Sequence, residues 1–200
     1  SNQYSKTGIK LLRGSNVKRG ETDWNEDITE YWSQISSELK RYELKEGDVI
    51  IPMDGSLVGK SYAQLSESDL PCLLLQRVAR IRSKKIDISY LKHFIGSKDF
   101  VKYCDSVKTV TAIPHISPTD IRNFTIPIPR IKSEQSTIAE VLTQTDSLIA
   151  SLEKLIAKKE AVKKATMQQL LTGKKRLPGF NNVWRIKKIG ELADIDTDNL

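Results

Sequence analysis

Forty consecutive residues, Ser133 to Thr172, contain neither proline nor glycine, and no other stretch restricts the possible folds as strongly. Ser133 followed by Glu134 suits a helix start: a hydroxyl can cap free N–H groups, and an acid complements the positive end of the helix dipole. Val141, Leu148, Leu155 and Val162 fall seven apart, as do Leu142, Ile149 and Ile156; Leu170 continues the second row after Lys163, and Leu152 lies between the rows. Apolar side chains repeating in this way form a coiled-coil seam. Gly173 ends the helix, Lys174, Lys175 and Arg176 complement its negative end, and Pro178 blocks continuation. At about 1.5 Å per residue the rod is roughly 60 Å long, whereas a domain of about 130 residues has a radius of gyration of only about 14 Å. Burying each leucine or isoleucine is worth about 1.5–3 kcal/mol. The seam therefore calls for a second long helix, and with no other in this chain the partner is expected from another molecule.

The residues before the helix have the pattern of a mixed α+β domain. Ile9 to Arg13 is a short apolar run stopped by Gly14 and looks like a strand. Asp27 can cap a helix reaching about Leu39, with Ile28, Tyr31, Trp32, Ile35 and Leu39 on one face. The turn Lys45 to Asp48 launches a strand from Val49 to Met53, and Asp54 to Lys60 is a glycine-punctuated loop. Cys72 to Arg82 is β-rich, and strand alternation would put Gln76, Arg80 and Arg82 on one face and Arg77 on the other. Ile88 to Tyr103 has helical spacing, and Val107 to Ile116 is strand-like. Ser117, Pro118 and Asp120 have the order of a helix cap, and Thr125 to Pro129 leaves the domain extended. The fold class expected is α+β: a mixed domain over 1–132, the long helix over 133–173, and a linker with a short strand-like tail over 174–200.

Composition narrows the function classes. No run approaches the ~18 apolar residues of a membrane span, and Ser1-Asn2-Gln3 does not open a secretory signal. Cys72 and Cys104 stand alone without metal-type spacing, which fits reduced thiols and a cytoplasmic location. The net charge of +7 is uneven: residues 21–54 carry an acidic excess and residues 74–108 a basic one. A basic block suggests one face for a polyanion, although charge alone is equally consistent with solvated surface.

The order of these parts resembles a known family. Thr111-Ala-Ile-Pro-His-Ile-Ser-Pro-Thr-Asp-Ile121, Ile126-Pro-Ile-Pro129, Glu134-Gln135 and Ile138-Ala139 are similar to the end of a target-recognition domain in type I restriction–modification specificity subunits. Asp146 to Ile149, Leu152 to Ile156, Lys158-Lys159 and Gln169 to Lys174 resemble that family's long helix. Arg176 to Phe180 with Trp184 resembles its linker, and Gly47 to Ile50 with Gln76-Arg77 its domain core. The resemblance implies a non-catalytic reader of double-stranded DNA. Two recognition domains would be held apart by antiparallel helices, each reading one part of a split target. A methyltransferase subunit and a restriction subunit would carry the chemistry, so S-adenosylmethionine, ATP and Mg are expected there and no cofactor in this chain. The chain departs from that pattern in having one recognition domain and one long helix. Relative to that pattern it also starts late, since a segment is expected before the counterpart of Ile9, while Trp184 to Ile195 looks like such an opening at the other end. Pairing as a homodimer, or with a second half-subunit, would supply the second reader; residues 184–195 would then enter the partner's domain, the alternative being a frayed end left by truncation.

Candidate DNA contacts are basic or polar residues on loops at one end of the domain: Arg13, Ser15, Asn16, Lys18 and Arg19 after the first strand, Lys60 and Tyr62 by the glycine loop, Gln76 and Arg77, and Lys108, Thr109 and Thr111. Each set is weighed against a solvated turn. His115, between Pro114 and Ile116, reads as a structural hydrogen-bonding group. The aromatic residues at 24, 31, 32 and 42 read as core or as an interface with a methyltransferase subunit. Two other functions compete. Asp23 with Glu43-Leu-Lys45 superficially matches a metal-dependent nuclease, and a stand-alone coiled-coil DNA-binding regulator would share the reader and the dimer. A methyltransferase activity in this chain lacks its glycine-rich cofactor loop.

Overall fold

The computed structural model describes residues 4, 5 and 7–194. It divides into two compact units, Ser1–Thr145 and Asp146–Leu200.

The first unit is built on two four-stranded sheets. One has the order β1 (Tyr4–Ser5), β4 (Glu30–Trp32), β2 (Ile9–Leu12), β7 (Cys72–Leu74), with β2 and β7 parallel. The other has the order β3 (Arg19–Gly20), β6 (Tyr62–Gln64), β5 (Val49–Pro52), β8 (Val78–Ile81), with β3 and β6 parallel. Successive side chains of a strand point to opposite faces, and β5 is apolar on both. Ile50 joins Leu12, Val17, Leu44, Ala63, Leu65, Cys72 and Val78 in one core, while Val49 and Ile51 join Val58, Ile95, Phe100, Cys104 and Ile116 in another. The second core is closed by α1 (Ile88–Ile95), α2 (Lys98–Val107) and α3 (Pro118–Asn123). Asp87 and Ser97 cap α1 and α2, and α3 carries the expected capping box of Ser117 and Asp120.

The long helix α4 runs from Lys132 to Leu171. Its first turns are fixed to the first unit by a buried Gln135, whose Oε1 accepts from Asp87 N (2.9 Å) and whose Nε2 donates to Pro129 O (2.8 Å). In the second unit Gly173 takes a left-handed φ of 69° and ends the helix. Trp184 packs over it, with the Arg176 guanidinium 5.0 Å from the indole.

Several elements differ from the sequence reading. The helix expected from Asp27 to Leu39 is instead strand β4 followed by a 3₁₀ turn, Leu39–Tyr42. Asn25 O accepts from both Ile28 N and Thr29 N in a tight turn, and β4 is then paired by β1 and β2. Tertiary pairing overrides the helical spacing. Cys72 to Arg82 is two strands in different sheets, so alternation does not carry across the run. Ile88 to Tyr103 breaks at Gly96-Ser97 into two helices. From Val107 to Ile116 there is no strand: α2 runs to Val107, and the following loop closes on itself through Thr109 N to His115 O (2.9 Å). Residues 174–194 hold a single 3₁₀ turn, Ile189–Glu191, where a strand-like tail is expected, and residues 195–200 lie outside the described residues.

Candidate nucleic-acid interface

Strand direction gathers several loops at one end of the first unit. β2 and β7 are parallel and end at Leu12 and Leu74. Pro52, the last residue of β5, faces Val78, the first of antiparallel β8. β6 and its parallel neighbour β3 both begin at this end, where Tyr62 N donates to Lys18 O (2.9 Å). The two sheets meet there, because a Cβ on Gly14 would lie 3.6 Å from Pro52 Cβ. The loops holding Ser15 and Lys18, Asp54 to Lys60, and Gln76-Arg77 therefore share one rim. The loop after α2 joins them: Gly55 N donates to Pro114 O (2.9 Å), Ile116 N to Met53 O (2.9 Å), and Asp54 bridges His115.

Ser15, Lys18, Lys60, Gln76, Arg77, Thr109 and Thr111 are exposed on this rim, and Lys108 is half-buried. Lys108 Nζ holds Asp105 Oδ1 at 2.5 Å, and the Lys60 charge also acts on that carboxylate. At the centre, Asp54 Oδ2 accepts from Arg77 Nη1 at 2.6 Å while Asp54 Oδ1 pairs with His115 Nδ1. Burial pushes the Asp54 carboxyl up, but the hydrogen bonds and charges of His115 and Arg77 outweigh it, and the carboxyl sits below its ordinary range. Asp54 has no distinctive signal in the sequence beyond Asp-Gly at a strand end.

Other candidates lie elsewhere or are already engaged. Asn16 is fully enclosed: its Oδ1 accepts from Arg13 N (3.0 Å) and its Nδ2 donates to Asp23 O (3.1 Å) and Ile28 O (3.4 Å). No base edge can reach it. Arg13 is folded back on Glu30 Oε1 (2.7 Å) and Ile28 O (2.6 Å). Arg19 Nη2 donates to Gly96 O (3.1 Å), and Tyr62 packs its hydroxyl beneath Gly96. At the opposite end of β5 and β8, Arg82 Nε donates to buried Asp48 Oδ1 at 2.6 Å, and Arg80 Nη1 lies 3.4 Å from Glu43 O. Thus arginines of the basic block bind carboxylates of the acidic one, and the charge separation along the sequence is partly cancelled in space. Neither is the nuclease pattern assembled: Asp23 pairs with Lys18 at 3.5 Å, and no group of three His, Cys, Asp or Glu suited to a metal occurs among the described residues.

The seam is open to solvent. Val141, Leu142, Leu148, Ile149, Leu152, Leu155, Ile156 and Val162 retain between 41% and 59% of their accessible surface, while Leu170 is half-buried.

Residues 4–164 match the family model of the type I restriction modification DNA specificity domain. The chain belongs to that family. It is 32% identical over 174 residues to the type I restriction enzyme EcoAI specificity subunit of Escherichia coli, covering 85% of this chain and 28% of that protein. It is 31% identical over 183 residues to the MjaVIII specificity subunit of Methanocaldococcus jannaschii, covering 90% and 43%. The chain thus spans less than half the length of these relatives. Among solved structures, a chain of a type I R-M system aligns with a TM-score of 0.63 at 19% identity over 93% of this chain and 48% of that one. The HsdS subunit from Thermoanaerobacter tengcongensis aligns at 0.56 with 20% identity, over 86% and 39%. Both alignments show that a specificity-domain fold with a long helix is shared.

Proposed function

We propose that this specificity-domain chain recognises a DNA sequence for a type I restriction–modification system and leaves methylation and cleavage to partner subunits. The observation that carries this reading is the rim: loops from both sheets and from the end of α2 converge on one edge with Lys18, Lys60, Arg77 and Lys108 interspersed with Ser15, Gln76, Thr109 and Thr111. Lysine and arginine supply phosphate affinity, whereas the amide, guanidinium and hydroxyl groups can address base edges. Membership of the family, and the names of its relatives, support the same role. S-adenosylmethionine, ATP and Mg then belong to the methyltransferase and restriction subunits, and this chain needs no cofactor. No helix among the described residues is long and apolar enough to cross a membrane; the proposed DNA target places the chain in the cytoplasm.

In this reading α4 pairs antiparallel with an equivalent helix, from a second copy or a second half-subunit, and so spaces two readers. With two identical readers the target is a spaced inverted repeat. The apolar groove of Leu11, Trp32, Leu39, Tyr42 and Leu73 to Leu75, next to the rim through Gln76, is a suitable surface for the methyltransferase subunit. Selection of bound sequences from a random DNA pool, with the methyltransferase subunit present and absent, tests the proposal. A spaced motif is expected. Salt-sensitive binding without any preferred sequence would refute it.

A further inference from the structure

We infer that Arg77 is a base reader for guanine, with Asp54 and His115 as its positioning residues; this rests on the DNA-recognition reading above and assigns it to particular atoms. Arg77 is the one non-glycine residue with a positive φ, 63°, among the described residues. Few L side chains take that conformation, and it marks a turn held by its surroundings. Here Met53 N donates to Arg77 O (2.8 Å), and Val78 immediately after is paired with Pro52, so the β7–β8 turn is fixed and its side chain stands on the rim with 70% of its surface exposed. Asp54, by contrast, is nearly enclosed, at 16%, and both its oxygens are occupied: Oδ2 by Arg77 Nη1 and Oδ1 by His115 Nδ1. The carboxylate cannot turn without breaking one of them. His115 is itself held, since its backbone N donates to Thr109 Oγ1 (3.0 Å). A chain of contacts from Thr109 through His115 and Asp54 therefore anchors one end of the guanidinium and limits its orientation.

That arrangement suits a base edge better than a phosphate. Phosphate attraction depends mainly on charge, and the adjacent carboxylate cancels much of the arginine charge. Bidentate contact with guanine O6 and N7 depends on orientation, which the carboxylate supplies. Only Nη1 is engaged by Asp54, so the guanidinium keeps further N–H donors for the two acceptors.

The test compares the full 200-residue chain with its Arg77→Lys, Arg77→Gly and Asp54→Asn variants, by sequence selection and by anisotropy with the selected duplex. Glycine is comfortable at this φ and removes the fork without backbone strain, and circular dichroism confirms folding of each variant. Arg77→Lys is expected to keep affinity for random DNA while its preference for one G·C pair per reader falls about 5- to 150-fold. Arg77→Gly should lose the same preference, and Asp54→Asn should weaken it at that pair and no other. Retention of every wild-type base preference by folded Arg77→Lys and Arg77→Gly overturns the assignment while leaving the DNA-recognition reading intact. An equal loss on all sequences in Asp54→Asn removes the positioning role and with it the inference. Failure of the wild-type chain to select any sequence overturns both.

Discussion

Substituting Leu152 with aspartate tests whether α4 pairs with its equivalent. The helix runs from Lys132 to Leu171, so Leu152 lies at its midpoint. In an antiparallel pair with full overlap it therefore meets the same residue of its partner at the two-fold axis. Eight seam residues are about half exposed in the single chain, each with between 41% and 59% of its surface accessible. Complete burial of such a side chain contributes about 1.5–3 kcal/mol, so covering the exposed half contributes about 0.7–1.5 kcal/mol each. Covering this stripe on both helices is the driving force for pairing. Leu152→Asp removes the leucine contribution from both helices and brings two carboxylates together in a desolvated seam. A cost of at least about 3 kcal/mol is expected, which raises Kd by at least about 100-fold. Sedimentation equilibrium across a concentration series at neutral pH measures both values. The reasoning is refuted if the wild-type chain sediments as a 22.6 kDa particle across the whole concentration series, or if Leu152→Asp leaves dimerisation unchanged.

Other outcomes follow from single sites. Asn16→Ala strands Arg13 N–H and the carbonyl of Asp23, while Ile28 O keeps its bond from Arg13, and is expected to lower stability by about 2 kcal/mol in urea unfolding; weaker DNA binding at unchanged stability would contradict its structural role. Burial pushes the Asp69 carboxyl up, but hydrogen bonds from Thr22, Trp24 and Ser66 bring it below its ordinary 3.8. Because the folded value lies below the unfolded one, this stabilisation is complete above pH ~4 and is lost as pH falls through the lowered value. Acid titrations followed by tryptophan fluorescence should show a reduced acid-dependent component in Asp69→Asn. Burial raises the Cys72 thiol to about 12 and the Cys104 thiol to about 11, and both side chains are fully enclosed in separate cores. Neither should react with a thiol reagent at pH 8 until denaturant unfolds the domain, and prompt labelling of the native chain would refute the packing.

What was legible in the sequence was what local physics decides. The α4 seam repeats over so many turns that no tertiary contact can disguise it, and Ser117-Pro118-Asp120 specifies its cap through its own side chains. Strand β5 was legible because both of its faces are buried. Residues 27–39 were not, because β4 is a strand only through pairing with β1 and β2, and both partners come from other parts of the chain. The run from Cys72 to Arg82 hid its turn, since an arginine at a left-handed φ has no sequence signature of the kind that glycine provides. The site was half legible. Loops at one end could be proposed from composition, but only sheet direction separates rim residues such as Gln76 and Arg77 from Arg80 and Arg82 at the far end. The charge blocks misled in a similar way, since Asp48 and Asp54 are spent on Arg82 and Arg77.

In the proposed function the rim and the seam answer the same physical requirement. A wrong base pair costs a reader about 1–3 kcal/mol, so a single rim with a handful of donors discriminates among few positions. Two readers add their discriminations only when their separation is fixed, because each must find its own bases at the same time. A flexible linker of 40 residues would have a root-mean-square span of about 35 Å with a wide spread, and would admit many spacings between half-sites. A helix of the same length without glycine or proline defines about 60 Å to within its own bending, and a partner helix along its seam stiffens it further. The apolar stripe that makes α4 costly to expose is, in the proposed pairing, also what turns two weak readers into one exact measure of distance along DNA.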